Sequence, residues 1–455
     1  MKVLSVNPKN LDALAEIEEF TDKQVAEILA GCEHGFAGWK NIEPREKRKL
    51  LLGVSELLKN NLKKYSRIIT DEMGKTIHEA EGEIKKCSAV CEYYANNFEK
   101  FLSDVEVASD FKKSKISFLP IGVVLAIMPW NFPFWQAFRA IIPAVSAGNA
   151  VVLKHSSNVS LCALEIENIF KEAGFPENIV RTIIVSGDKT DKVIANKLIR
   201  GVTFTGSTDV GRKIAENAGR NLKKCVLELG GNDPYIVLEN ADIELAARKC
   251  AGSRLLNAGQ SCIAAKRFIV SEKVYAEFLE KFTANIKAVK FGDPYDDSSK
   301  IGPLVSVKAR DAIHKTVHDY VEKGAVRLIC GGVVPDNKGA FYPPTILEVI
   351  DRSKIRDEEV FGPVAIIFKA KNDLEAIEIA NSSDFGLGAA IFSKNEAAAL
   401  EIAKNKIESG SVFINDYVQS NQALPFGGVK NSGFGRELSE FGIKEFTNIK
   451  TVVLN

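Results

Sequence analysis

The sequence predicts an α/β protein built from two doubly wound, largely parallel sheets, and three observations carry that prediction. The chain has 455 residues, more than one hydrophobic core usually supports. From Ile121 onward, short apolar runs of strand character alternate with helical segments, the rhythm of parallel α/β layering. That rhythm halts at Gly230-Gly231 and restarts at Asp242, so a second α/β domain begins near Gly230.

In chain order, Asp22 to Phe101 is helical, with apolar residues three and four apart in Lys47 to Leu58 and Leu62 to Met73. Ala108 to Leu119 mixes charged and β-prone residues and reads as an exposed strand or hairpin, an arm. Ile121 to Met128 is a buried strand, Pro129-Trp130-Asn131-Phe132-Pro133 breaks it, and Trp135 to Ala147 is a helix ending at Gly148. Ala150 to Leu153, the helix Leu161 to Ala173 and Ile179 to Val185 repeat the unit. Gly201 to Thr205 opens through Gly206 to Gly211 into a helix reaching about Ala218. Cys225 to Leu229 and Tyr235 to Leu238 are strands flanking Gly230-Gly231. A helix to Leu256, the Asn257 to Cys262 loop, a strand Arg267 to Val270 and a helix Lys273 to Val289 follow. Ile449 to Leu454 is β-prone and free to pair with another element or subunit.

Composition narrows the function. Hydrophobic residues make up 45% and charged residues 26% of the chain, ordinary for a globular enzyme. Lys plus Arg number 60 against 59 Asp plus Glu, which gives no field for a polyanion and argues against nucleic acid or a membrane surface as partner. Met1 to Asn10 lacks a basic start followed by an apolar stretch, and no run approaches the roughly 18 apolar residues of a membrane span. The cytoplasm is the expected location. Eight cysteines in so long a chain fit reduced thiols. Cys87 and Cys91 share a helix face without a matching His or Cys pair, so they read as buried helix residues and no metal site is expected.

Four features carry possible chemistry. Cys262, in the small-residue loop Asn257-Ala258-Gly259-Gln260-Ser261-Cys262, stands where a thiol is accessible and backbone amides are available; an arbitrary cysteine is more often a small buried hydrophobe. Glu228 ends an apolar strand, where desolvation raises a carboxyl's pKa and suits it to general-base work; pairing with Lys224 or facing solvent is the alternative. Asn131, bracketed by Pro129 and Pro133, is either an amide donor to developing negative charge or a turn cap. Gly206 to Gly211 leads from strand to helix and suits a pyrophosphate, or is a plain capping turn.

These pieces, together with Phe204-Thr205-Gly206-Ser207-Thr208, Leu227-Glu228-Leu229-Gly230-Gly231, Gly259-Gln260-Ser261-Cys262, Glu359-Val360-Phe361-Gly362-Pro363 and Pro425-Phe426-Gly427-Gly428-Val429-Lys430-Asn431-Ser432-Gly433, closely resemble the aldehyde dehydrogenase superfamily from about Gly35 to the C-terminus. The resemblance implies two Rossmann-like doubly wound domains plus a small β oligomerisation arm. Residues 1–101 and 121–229 would form the cofactor-binding domain, 230–437 the catalytic domain, and 102–120 with 438–455 the arm, in a homodimer or homotetramer. It makes Cys262 the nucleophile, Glu228 the base that activates the hydrolytic water, and Asn131 an oxyanion donor beside the Cys262 amide. Trp130, Lys154, Ser157, Gly206, Ser207, Glu359 and Phe361 become cofactor residues: Lys154 and Glu359 on ribose hydroxyls, Ser207 on the pyrophosphate, Phe361 by the nicotinamide. Ser157 stands where NAD-preferring relatives often carry a Glu that repels a 2′-phosphate, so NADP is expected to be accepted beside NAD.

Within the superfamily the sequence is most similar to bacterial NAD(P)-dependent succinate semialdehyde dehydrogenases. Arg139, eight residues after Asn131, is in the position of an Arg for the distal carboxylate, one helical turn from Trp135; an Arg on the helix surface is the alternative. Ser420 and Gln422 are expected to add polar contacts. Leu256 stands where some relatives carry a second Arg, and Ser261 and Ile263 flank Cys262 where others carry a second Cys, so no local disulfide switch is expected. The competing readings are a dehydrogenase for another short aliphatic aldehyde, a coenzyme-A-acylating enzyme, against which Glu228 argues, and a catalytically silent dinucleotide-binding homologue.

Overall fold

The computed structural model describes residues 2–455. Four helices, Asp22–Trp39, Pro44–Asn60, Leu62–Met73 and Ile77–Phe101, fill the N-terminal region as its periodicity predicts. Their ends follow local chemistry. Thr21 with Gln24 and Thr76 with Glu79 form reciprocal capping boxes, Pro44 occupies the first turn of its helix, and Gly74 ends Leu62–Met73 in the left-handed conformation. Cys87 and Cys91 are buried in the last of these helices. Before them lies an antiparallel hairpin, Lys2–Val6 with Ala13–Glu18, that the sequence reading did not anticipate.

A six-stranded sheet is built around Val123–Met128, whose six residues are all buried, as expected of a central strand covered on both faces. Ala150–His155 and Val180–Thr182 lie to one side in parallel, Ile199–Thr205 and Lys224–Glu228 to the other. Gly433–Phe434 returns antiparallel on Lys224–Glu228 and so closes that edge with a segment from far along the chain. The expected strand Ile179 to Val185 is shorter, because its ladder with Val151 to Leu153 spans only Val180–Thr182.

A seven-stranded sheet takes the second half. Pro234–Val237 is flanked by Arg267–Ser271 and Gly388–Phe392 in parallel, and Val326–Cys330 alone runs antiparallel at one edge. Lys113–Pro120 projects as the sequence suggests and pairs along its length with Thr447–Leu454, from Thr447 opposite Pro120 to Leu454 opposite Lys113. Asn149 ties this arm to the first sheet: its Oδ1 accepts from the Ile121 and Gly122 amides, and its Nδ2 donates to the Phe446 carbonyl. Among the described residues no helix is long and apolar enough to cross a membrane.

Candidate active site

The first sheet reverses its strand order between Val123–Met128 and Ile199–Thr205, and the carboxyl ends of such strands open a crevice that no connection covers. There lies a cavity of about 340 Å³ lined by Trp130 and Asn131 beyond the first strand and by Gly206 and Ser207 beyond the second, with Glu359 and Phe361 opposite. Ser207 caps the helix Thr208–Arg220 with extended backbone and without spending its hydroxyl on the helix amides. The cavity wall there thus ends at the N-cap of the helix with a hydroxyl not used in capping, a setting that fits a pyrophosphate. Trp130 and Phe361 meet edge to face at 5.6 Å. Glu359 accepts from the Gly231 amide at 3.1 Å and pairs with Lys266 at 3.2 Å. Lys154, partly buried, and Ser157, exposed in the short turn Ser157–Val159, lie beside the crevice but outside this lining.

The nucleophile candidate sits on a strained loop. Asn257 and Ala258 both have φ of 53° and Gly259 has φ of 73°, a left-handed run costing about 1–2 kcal/mol for each residue with a Cβ. A Cβ at Gly259 would collide with the Gly362 carbonyl, so that position requires glycine. Buried hydrogen bonds hold the loop: Glu79 accepts from the Asn257 amide at 2.6 Å, Asn257 Nδ2 donates to the Asn131 carbonyl at 2.8 Å, and Arg254 donates to the Gly259 carbonyl at 2.6 Å. The result puts Cys262, partly exposed, on the lining of the first cavity and of a second. Burial pushes its thiol up to about 12 against the opposing charges of Arg139 and Lys266.

Asn131 shares the first lining with Cys262. Its Nδ2 donates to the Gln260 carbonyl at 3.0 Å, which fixes the amide and leaves a second hydrogen to give. Glu228 is the exception to the expected grouping. Its carboxyl is raised well above the usual range, first by burial and then by Glu437, in the direction the sequence predicts. However, both its oxygens are buried without a partner and neither cavity has Glu228 on its lining. It is directed toward Gly427, where a Cβ would stand 2.7 Å from Oε1. In the strand ladder Glu228 stands opposite Gly433, so the C-terminal return that carries Gly427 lies beside it.

The second cavity, about 280 Å³, shares only Cys262 and Gln136 with the first. Arg139 and Trp135 line it from the wholly buried helix Pro133–Ser146, which disposes of the surface-Arg alternative. Arg139 is 2% exposed, ion-paired through Nε with Glu437 and stacked 4.5 Å over the Phe426 ring. Ser420 lines the cavity and accepts from Trp135 Nε1 at 3.2 Å and from Lys86 Nζ at 2.6 Å. Gln422 corrects the sequence reading: it lies off the lining, where its backbone carbonyl accepts from the Ser439 amide at 3.0 Å, and Gln419 lines the cavity instead. Leu256 and Ile263 supply apolar wall.

Lys86, Gln136, Tyr417 and Glu437 were missed by sequence reasoning. The available signal was the recurrence of Glu79, Glu83 and Lys86 three and four residues apart, which reads as a solvated helix face until another element covers it. Among the described residues no cluster of three or more His, Cys, Asp or Glu is placed to hold a metal ion.

Residues 1–452 match the family model described as the aldehyde dehydrogenase family. The chain is 42% identical over 457 residues to an aldehyde dehydrogenase of Paenarthrobacter nicotinovorans, covering 99% of both chains. It is 40% identical over 450 residues to the succinate semialdehyde dehydrogenase [NAD(P)+] of Escherichia coli, covering 99% of this chain and 97% of that one. The solved succinic semialdehyde dehydrogenase of Streptococcus pyogenes in complex with NADP+ superposes with a TM-score of 0.97 at 37% identity, covering 99% of each chain.

Proposed function

The chain belongs to the aldehyde dehydrogenase family, and from that premise we propose that it oxidises succinate semialdehyde to succinate with NADP or NAD as the hydride acceptor. One observation carries the reading: Cys262 forms the wall between a crevice suited to a dinucleotide and a cavity that contains two cationic side chains, Lys86 and Arg139.

The Cys262 thiol gives its proton to water, the thiolate sulfur adds to the aldehyde carbon, and the carbonyl oxygen takes up the negative charge of a thiohemiacetal. Asn131, with a hydrogen to spare and its amide fixed by Gln260, donates to that oxygen. Trp130, Ser207, Glu359 and Phe361 would hold the dinucleotide in the crevice, and its nicotinamide would supply the chemistry of hydride acceptance. Loss of hydride from the thiohemiacetal carbon leaves a thioester on Cys262. Glu228 takes a proton from water, whose oxygen adds to the acyl carbon; the carboxylate departs and the thiol returns. To do so its side chain turns from Gly427 toward the cavity, a rotation within reach of a carboxyl that no hydrogen bond anchors. Ser157, without a charge to oppose a 2′-phosphate, supports the use of NADP, and Lys154 and Glu359 are proposed for the ribose hydroxyls.

The boundary near Gly230 is proposed to divide cofactor-binding from catalytic residues. The arm, with Ile449, Val452, Val453 and Leu454 exposed, is proposed to join copies of the chain into a dimer or tetramer. A cytoplasmic location is proposed from the free thiols.

The test compares kcat/KM for succinate semialdehyde and butanal, with acid and reduced cofactor measured together and coenzyme A omitted. The expected result is a preference of about 100-fold for the semialdehyde, the scale of a charge-assisted contact, and one acid per reduced cofactor. Cys262→Ser is expected to abolish turnover while cofactor still binds. Equal kcat/KM for the two aldehydes would overturn the substrate; absence of acid without coenzyme A would overturn the hydrolytic step.

A further inference from the structure

We propose that Lys86, with the Ser420 hydroxyl, is the group that receives the distal carboxylate of the substrate, while Arg139 is held in place by Glu437. The proposal rests on the succinate semialdehyde reading above and assigns a recognition residue to that site.

The carboxylates around the second cavity all have partners. Glu83 accepts from the Phe134 and Trp135 amides at 2.8 and 2.9 Å and from Lys75 Nζ at 2.6 Å. Glu79 accepts from the Asn257 amide and closes the capping box at Thr76. Glu437 takes Arg139. Lys86 differs. Its ammonium group lies 2.6 Å from the Ser420 hydroxyl oxygen and 4.3 Å from the centre of the Trp135 ring, two neutral contacts, and among the described residues it forms no ion pair. An ammonium partly withdrawn from water and touching only neutral groups gains from an anion at hydrogen-bond distance. Burial and then the neighbouring Arg139 charge bring its pKa down to about 8, against the opposing charge of Glu83.

Ser420 sharpens the geometry. Its oxygen already accepts from Lys86 and from the Trp135 indole, so its own hydrogen is left to donate. Ammonium and hydroxyl thus converge on one point of the cavity wall, and both donate to a carboxylate there. Arg139 contributes positive potential, and its Nε and Nη2 have no hydrogen-bond partner, but its charge is offset by the buried Glu437 carboxylate beside it. Lys86 reaches the site from the helix Ile77–Phe101, and Ser420 from a loop 334 residues later in sequence.

The experiment measures kcat and KM for succinate semialdehyde and butanal in the wild type, Lys86→Met and Lys86→Arg. Succinate is also titrated as an inhibitor of butanal oxidation in each. In Lys86→Met the semialdehyde-to-butanal ratio of kcat/KM is expected to fall about 10- to 100-fold, chiefly through KM for the semialdehyde, and the succinate inhibition constant to rise by a similar factor. Lys86→Arg is expected to recover part of both, and butanal turnover certifies that the variants fold. If the wild type prefers the semialdehyde and Lys86→Met keeps that preference, the assignment of Lys86 is overturned and the substrate stands. If the wild type shows no preference, the substrate reading falls and the assignment with it.

Discussion

Replacing Arg139 with Leu removes one half of a buried ion pair whose side chains are 2% and 5% exposed. Glu437 then keeps only the Thr203 hydroxyl at 3.5 Å, and Glu228 loses the cation that most opposes its raised pKa. Breaking such a pair costs about 3–5 kcal/mol. With about 2.1 cal/mol/K per residue of unfolding entropy, a 455-residue chain melting as one unit loses about 1 kcal/mol per degree, so the expected fall in Tm is about 3–5 °C. The deficit depends on pH in a definite sense. Burial raises the Glu437 pKa in the fold, and loss of Arg139 raises it further. The variant is therefore compensated at low pH, where Glu437 is protonated in both states, and its deficit grows as pH rises through the folded-state pKa. Differential scanning calorimetry of wild type, Arg139→Leu and the double variant Arg139→Leu/Glu437→Leu provides the test, the double variant being expected to regain most of the loss. A single variant that melts within about 1 °C of wild type, or a double variant no better than the single, would refute the reasoning.

Glu228→Gln should still give a burst of reduced cofactor and then stall at the thioester; rapid-quench or stopped-flow measurement showing no burst would contradict a base acting chiefly in hydrolysis. Because the Glu228 carboxyl is raised well above its usual range and must lose its proton to act, the hydrolytic limb of kcat should rise with pH. Glu437→Gln should move that limb to lower pH by removing a neighbouring negative charge. Asn131→Ala should slow acylation by about 100-fold or more, with cofactor affinity measured separately by fluorescence titration. Ser157→Glu should selectively raise KM for NADP; an unchanged NADP-to-NAD ratio of kcat/KM would sink the assignment of that position.

The parts of the site legible in sequence are those carried by backbone architecture. The strand Val123–Met128 is legible as a continuous apolar run, whereas the Gly206-Ser207 turn and the Cys262 loop read alone as a capping turn and an ordinary cysteine, and take their meaning from the family resemblance of the motifs around them. What escaped was set by contacts between distant segments. The Lys86–Ser420 and Arg139–Glu437 pairs span hundreds of residues, and no local pattern distinguishes a lysine facing a closed cavity from one facing water. Gln422 was misplaced for a similar reason: in an irregular loop, side-chain direction has no period to follow, and a backbone bond to Ser439 fixes only the course of the main chain. The hairpin of Lys2–Val6 with Ala13–Glu18 is short, largely exposed and weakly alternating, so its pairing rather than its composition makes it a strand pair.

The partition formed by Cys262 has a kinetic consequence. Since the two cavities have only Cys262 and Gln136 in common, a dinucleotide in the first and an aldehyde in the second, as proposed above, would fill different spaces, and neither would need to leave for the other to arrive. An adenine-nucleotide fragment that competes with NADP should therefore reduce the maximal rate of aldehyde oxidation without competing with the aldehyde. A dicarboxylate lodged by Trp135 should give the mirror pattern. The thiol is reached from two sides, as a door between rooms rather than the end of a corridor.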